Sequence, residues 1–169
     1  MSLEATVPVT IEISGGPFEF SAAHAGLHDG QFEPLHGHTY IAGLRLHGDA
    51  GATGMLADFR VIKQALREVI APLRRRTLMP QHPPGGSCRV EDGQVFIECG
   101  ATRFSFPAAH VTLLPVANTA TEAIAGWLLS QLLPRLKDEA GLTRVDLTLA
   151  EASDTSATVT AVIPARSPQ

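Results

Sequence analysis

Phe18-Glu-Phe-Ser-Ala-Ala-His24 and His36-Gly-His-Thr-Tyr-Ile-Ala-Gly-Leu-Arg-Leu46 decide the fold. Both read as strands of period two with one buried face, and only a polar loop around His28-Asp-Gly-Gln31 separates them. Strands joined that locally predict an antiparallel hairpin. Upstream, Val7-Pro-Val-Thr-Ile-Glu-Ile13 alternates in the same way, and Ser14-Gly-Gly-Pro17 is where the strand should kink or bulge. Downstream the period changes. Phe59, Ile62, Leu66, Val69, Ile70 and Leu73 follow the three-and-four spacing of a helix over 58–73. Asp58 is its N-cap, and Arg74-Arg-Arg76 suits its carbonyl end.

A second helix is expected from Thr119, with Glu122 in the capping-box position, bending at Pro134 and stopping at Gly141. Between the helices, residues 82–117 open on Pro83-Pro-Gly-Gly86 and break again at Asp92-Gly93 and Gly100-Ala101. They read as an inserted β-meander. Two alternating runs, 145–151 and 157–163, close the chain around Ser153-Asp154. Two strands, helix, insert, helix and two strands imply one α+β domain over 1–169, an antiparallel sheet with both helices on one face.

The 169 residues, 44% of them hydrophobic, support such a core without disulfides or structural metal. Two cysteines make no framework: in a hairpin centred on Asp92-Gly93, Cys88 faces Ile97, so Cys88 and Cys99 lie diagonally. A reduced, cytoplasmic protein is expected. Membrane insertion is not, because no apolar run approaches the roughly twenty residues of a span, and the first residues, Met1-Ser-Leu-Glu-Ala5, lack a signal pattern. A net charge of −4 argues against nucleic-acid binding driven by counterion release.

Seven histidines remain to be explained, three of them between residues 24 and 38. His36 and His38 are two apart on a strand and share a face, and His24 ends the neighbouring strand on the face of Phe18 and Phe20. If the strands pair, the three rings converge. Three neutral imidazoles suit zinc and leave a coordination position open, as in catalytic sites. The same spacing also fits polar residues on a wet face or a structural metal in an assembly module. A cupin, which uses His-x-His with a glutamate shortly after, is disfavoured because Ile41 and Ala42 stand there.

Taken together, Phe18-x-Phe-Ser-Ala-Ala-His24, Leu35-His-Gly-His-Thr-Tyr40, Gly54-Met-Leu-Ala-Asp-Phe59, Asn118-Thr-x-x-Glu122 and Leu147-x-Leu-x-Glu151 resemble the 6-pyruvoyltetrahydropterin synthase and 6-carboxytetrahydropterin synthase family over about residues 8–163. The resemblance implies the tunnelling fold, with a four-stranded antiparallel sheet and two helices per subunit, assembled as a homo-oligomer, typically a hexamer of two stacked trimers. It implies Zn2+ on His24, His36 and His38, holding the side-chain hydroxyls of a dihydropterin, and Glu151 anchoring the pterin ring. On the residues alone, Glu151 is a strand-end carboxylate beside the apolar row Val145, Leu147 and Leu149.

Two departures redirect the chemistry. The family places its proton-abstracting cysteine where this chain has Phe32. Glu33 stands next to it, and a family subgroup acting in folate synthesis uses a glutamate there to cleave the side chain to a 6-hydroxymethyl pterin. Glu33 is therefore the expected general base, with a plain loop carboxylate as the alternative. The family's aspartate-histidine relay aligns with Arg74-Arg75, which cannot act as bases but could bind a phosphate or carboxylate of the ligand. His28, His82 and His110 are candidate replacements for the lost histidine. The expected function is a zinc-dependent lyase acting on 7,8-dihydroneopterin or its triphosphate by a non-standard reaction. The alternative is a zinc-containing pterin- or purine-binding protein without turnover.

Overall fold

The computed structural model describes residues 7–164. Its elements in chain order are β1 (Val7–Ile13), β2 (Glu19–His24), β3 (Leu27–His28), β4 (Gln31–Phe32), β5 (His36–Ala50), α1 (Phe59–Ile70), β6 (Thr77–Pro80), β7 (Gly86–Glu91), β8 (Gln94–Cys99), β9 (Thr102–Pro107), β10 (Val111–Leu114), α2 (Thr121–Leu132), β11 (Leu142–Ala150) and β12 (Ser156–Val162). The long strand β5 organises the rest. Its first half pairs with β2 (Glu19↔Ile41 to His24↔His36) and its second half with β1 (Ile13↔Leu44 to Val7↔Ala50), both antiparallel. β1 and β2 are thus one strand broken by a 3-10 turn at Gly16–Phe18, where the glycine-proline cluster predicted a kink. On the other side of β5 lies β11, and β12 pairs with β11.

These four lines of strand are antiparallel, as expected, but the full sheet is mixed. β6 pairs in parallel with β2, and β10 in parallel with β6, extending the sheet to seven strands. The expected four-stranded antiparallel sheet is present, and the parallel strands β6 and β10 add to it at the β2 edge. Thr77-Leu-Met-Pro80 is too short to show a period, and it becomes a strand only because it lies between β2 and β10. Residues 86–107 form the three-stranded antiparallel meander β7-β8-β9, with Cys88 opposite Ile97.

Helix α1 begins as its sequence dictates: the Asp58 carboxylate accepts from the Arg60 amide at 2.7 Å. Its apolar stripe, Ile62, Leu66, Val69 and Ile70, packs with Ile124, Leu128 and Leu132 of α2 against Tyr40, Ala42, Leu44 and Leu46 of β5. Both helices therefore cover one sheet face. The start of α2 differs from the expectation. The helix opens at Thr121 with Ala120 as an N-cap lacking a side-chain acceptor, because the fully buried Thr119 donates instead to the Ala25 carbonyl at 3.1 Å. Nor does α2 bend through Pro134 to Gly141; it ends at Leu132 and tightens into a 3-10 turn over Leu133–Leu136. Among the described residues no helix is long and apolar enough to cross a membrane.

Candidate active site

The β2–β5 register sets His24 directly opposite His36 and Ala22 opposite His38. Residues opposed in an antiparallel pair share a face, and period two adds His38 to the face of His36. The rings meet at centroid separations of 4.5 Å (His24–His36), 4.8 Å (His36–His38) and 5.2 Å (His24–His38). One nitrogen from each lies within 4.8 Å of the others. Convergence alone does not make a metal site, but the hydrogen bonds add to it.

His24 is only 4% exposed, and its Nδ1 lies 2.8 Å from the Thr119 carbonyl oxygen. A carbonyl can only accept, so Nδ1 carries the proton and Nε2 presents a bare lone pair. That Nε2 is buried and has no hydrogen-bond partner among the described residues. His36 is set the same way, its Nδ1 3.0 Å from the Pro34 carbonyl. Backbone carbonyls fixing Nδ1–H are the usual outer partners of metal-ligating imidazoles. Burial pushes the His24 pKa below its ordinary value, against the opposing pull of the Thr119 bond, so the ring stays neutral. A buried, aimed and unpaired lone pair costs free energy unless something accepts it. A divalent metal taking His24, His36 and His38, with a fourth position open, fits these donors.

The histidines line a cleft of about 280 Å³ together with Glu33, Thr121 and Glu151. Glu33 closes the short hairpin β3-β4: its N–H donates to the Gly26 carbonyl at 2.9 Å, and its Oε1 accepts from the Gly26 N–H at 2.8 Å. Oε2 is left, 3.8 Å from Nε2 of His28. The hairpin is tied down by Asn118, whose side-chain amide accepts from the Leu27 N–H at 2.8 Å and donates to the Leu27 carbonyl at 3.1 Å. Glu151 lines the same cleft. β11 ends at Ala150, opposite Ile41, so Glu151 leaves the sheet beside the uncovered start of β5, and the Thr121 hydroxyl on the first turn of α2 donates to its Oε2. Its charge is therefore held at the helix N-terminus and not stranded on the apolar row. Tyr40, two residues beyond His38, has a buried hydroxyl without a partner among the described residues. Burial first, then the charges of Glu151 and Glu33, push its phenol above the usual range, so it stays protonated.

The structure thus brings His24, His36, His38, Glu33 and Glu151 to one cleft. It does not bring Arg74 or Arg75 there. The Arg74 guanidinium donates to the Pro17 carbonyl at 3.2 Å. Arg75 takes a left-handed backbone (φ 56°) and gives its N–H to the Ser21 carbonyl at 2.7 Å, and it lines a groove with Ser21, Thr39 and Thr77 that shares His38 with the cleft. Neither arginine is among the residues that line the cleft within one chain. Of the spare histidines, His28 lines the cleft, while His82 and His110 do not. Phe32 is 6% exposed and packs edge-on against Phe104. Sequence reasoning missed Thr119 and Thr121 as the groups that hold His24 and Glu151. The Asn118-Thr119 pair was their signal, and it reads equally well as a helix cap.

Residues 13–161 match the family model described as 6-pyruvoyl tetrahydropterin synthase. A Methanocaldococcus jannaschii protein provisionally named 6-carboxy-5,6,7,8-tetrahydropterin synthase is 26% identical over 131 residues, 76% of this chain and 80% of the relative. Among solved structures, the Plasmodium falciparum 6-pyruvoyl tetrahydropterin synthase shares the fold (TM-score 0.86, 24% identity, 92% of this chain and 99% of that one). A Plasmodium vivax 6-pyruvoyltetrahydropterin synthase, solved with a catalytic glutamate changed to alanine, is 27% identical at a TM-score of 0.86, over 93% of this chain and 99% of that one. The span matched by the family model contains His24, Glu33, His36, His38 and Glu151, and the chain belongs to the 6-pyruvoyl tetrahydropterin synthase family.

Proposed function

We propose that the chain is a zinc-dependent lyase that cleaves the side chain of a dihydropterin, 7,8-dihydroneopterin or its triphosphate, with Glu33 as the base. The observation that carries this reading is the single cleft in which the aimed lone pairs of His24 and His36, the His38 ring, the free Oε2 of Glu33 and the held carboxylate of Glu151 all meet. His24, His36 and His38 would hold the zinc, and zinc bound there would supply a Lewis acid that acidifies a coordinated side-chain hydroxyl. Glu151 accepts two parallel hydrogen bonds from the ring N–H and exocyclic amine of the pterin, and the Thr121 hydroxyl orients the carboxylate for this.

Glu33 Oε1 is pinned by Gly26, so Oε2 is the atom that takes a proton. A carbon–carbon cleavage needs one proton removed from a side-chain hydroxyl and one delivered to the carbon left on the ring. A single carboxylate can carry the same proton through both steps, releasing an aldehyde and a 6-hydroxymethyl pterin. That chemistry dispenses with the aspartate-histidine relay, whose place Arg74 and Arg75 take outside the cleft. The catalytic glutamate of the Plasmodium vivax relative supports giving the role to Glu33.

One observation favours a second reading, a zinc-containing pterin- or purine-binding protein without turnover: where the family carries its base, this chain has Phe32, a hydrocarbon buried away from the cleft. Incubating zinc-loaded protein with dihydroneopterin and its triphosphate, with products followed by chromatography, separates the two. Product supports the lyase; tight pterin binding without product supports the binder.

Glu151→Gln removes the charge and replaces one of the two acceptor oxygens by a donating NH2, so one ring hydrogen bond is lost and the other loses its charge assistance. At about 1.5–3 kcal/mol for a charged hydrogen bond, pterin affinity should fall roughly tenfold to a hundredfold, with zinc content unchanged in parallel metal analysis. The proposed assembly is a homo-oligomer, a hexamer of two stacked trimers, since among the described residues β10 and β12 are each paired on one side only and leave sheet edges open to continuation. Light scattering should give a multiple of the chain mass, and a single-chain mass would contradict the assembly. A reducing, cytoplasmic setting accompanies this reading, Cys88 and Cys99 both being free thiols.

A further inference from the structure

We infer that the β7-β8-β9 meander is a positioning element for Glu33, and that it acts by clamping Phe32 and the hairpin that ends in Glu33. The inference rests on the reading of Glu33 given above.

The hairpin needs such a clamp. β3 and β4 are two residues each, paired Leu27↔Phe32 and His28↔Gln31 around a tight turn at Asp29-Gly30. A two-stranded ribbon of that length does not hold itself together in water. Its other fixed points are the Asn118 amide at Leu27 and the Gly26–Glu33 bonds at its base. The far strand and the turn are held by the meander. The buried thiol of Cys99 donates to the Gly30 carbonyl at 3.2 Å. Next to it, the backbone of Gly100 approaches so closely that a Cβ there would stand 2.9 Å from the same oxygen. The Thr102 hydroxyl donates to the Phe32 carbonyl at 3.5 Å, and the Phe104 ring meets Phe32 edge to face at 5.7 Å.

Phe32 belongs to a hydrophobic cluster of its own, separate from the core under the helices. Its buried members are Ala25, Met79, Val95, Ile97 and Cys99, and the last three come from β8. The meander therefore builds the socket in which Phe32 sits, and Glu33 is the next residue along. Fixing Phe32 fixes the peptide that points the Glu33 N–H at the Gly26 carbonyl and the carboxylate at the Gly26 N–H. The hydrocarbon at this position is an anchor, with the proton acceptor displaced by one residue. Phe104 and Thr102 are positioning residues that act through Phe32 and touch neither substrate nor metal.

The test uses the full zinc-loaded chain with Phe104→Ala, Phe104→Leu and Thr102→Val. Amide hydrogen exchange at Gly26 and Glu33, whose N–H groups bridge the base of the hairpin, should speed up on the order of tenfold in Phe104→Ala, which loses the edge-to-face contact with Phe32 and its packing. Exchange along the β5–β11 pairing and zinc content should stay at wild-type values, and Phe104→Leu should restore most of the protection. For dihydroneopterin, kcat should fall by up to about 10²-fold with KM little changed, as for a misplaced catalytic group. Unchanged exchange at Gly26 and Glu33 in a folded Phe104→Ala protein would overturn the inference, as would a loss spread evenly over the main sheet. If Phe104→Ala does not fold, Thr102→Val decides in the same way, with a smaller acceleration expected at the same two amides. Should the wild type show no turnover, the lyase reading fails, while the exchange result still decides whether the meander positions Glu33.

Discussion

Glu33→Gln is expected to leave zinc at its wild-type content and to lower product formation from dihydroneopterin by about 10²- to 10⁴-fold, the range of a lost general base. The substitution is nearly isosteric. The amide oxygen can still accept from the Gly26 N–H that pins Oε1, so the hairpin keeps its closure, and the amide nitrogen takes the place of Oε2 facing His28. What disappears is the only capacity the proposal requires of this side chain, taking up a proton. None of the three histidines bonds to Glu33, so metal analysis should not distinguish the variant from the wild type. Turnover retained within a few-fold would remove Glu33 from the mechanism.

The second large effect is on the metal. A His36→Ala, His38→Ala double variant removes two of the three imidazoles. It should lose more than about 10²-fold in zinc affinity, since even the partners that merely orient a ligand are worth 10- to 100-fold. Fold stability should change little. His36 is exposed and His38 half-buried, and the β2–β5 ladder at these positions is made by backbone groups. His24 would be a poorer probe, because its buried ring also ties β2 to the segment before α2 through the Thr119 carbonyl. Full zinc occupancy in the folded double variant would place the metal elsewhere and sink the site.

The parts of this account that the sequence disclosed are those governed by a local period. Alternation over 18–24 and 36–46 set the hairpin, and with it the shared face of His24, His36 and His38. The three-and-four spacing after Asp58 set α1 and its cap. Residues whose roles depend on distant partners were not legible. Thr119 has the chemistry of a cap, and only the approach of β2 shows that its hydroxyl and carbonyl serve Ala25 and His24. β6 is four residues ending in proline, and its strand character comes from its parallel neighbours. Aligning Arg74 and Arg75 with a catalytic pair could not reveal that Arg74 is tied to the Pro17 carbonyl and that Arg75 lines the neighbouring groove with Ser21 and Thr77. Phe32 is one apolar residue in a polar loop. It has no period to announce it, and its partner Phe104 lies in the meander.

The central claim, that this cleft is a zinc-dependent pterin lyase site, is tested most directly by incubating zinc-loaded wild-type protein with 7,8-dihydroneopterin and its triphosphate and identifying the products by chromatography. The account predicts a 6-hydroxymethyl pterin that forms with zinc bound and forms at least about 10²-fold more slowly with Glu33→Gln. A pterin that binds and is recovered unchanged from the fully zinc-loaded wild type would contradict it.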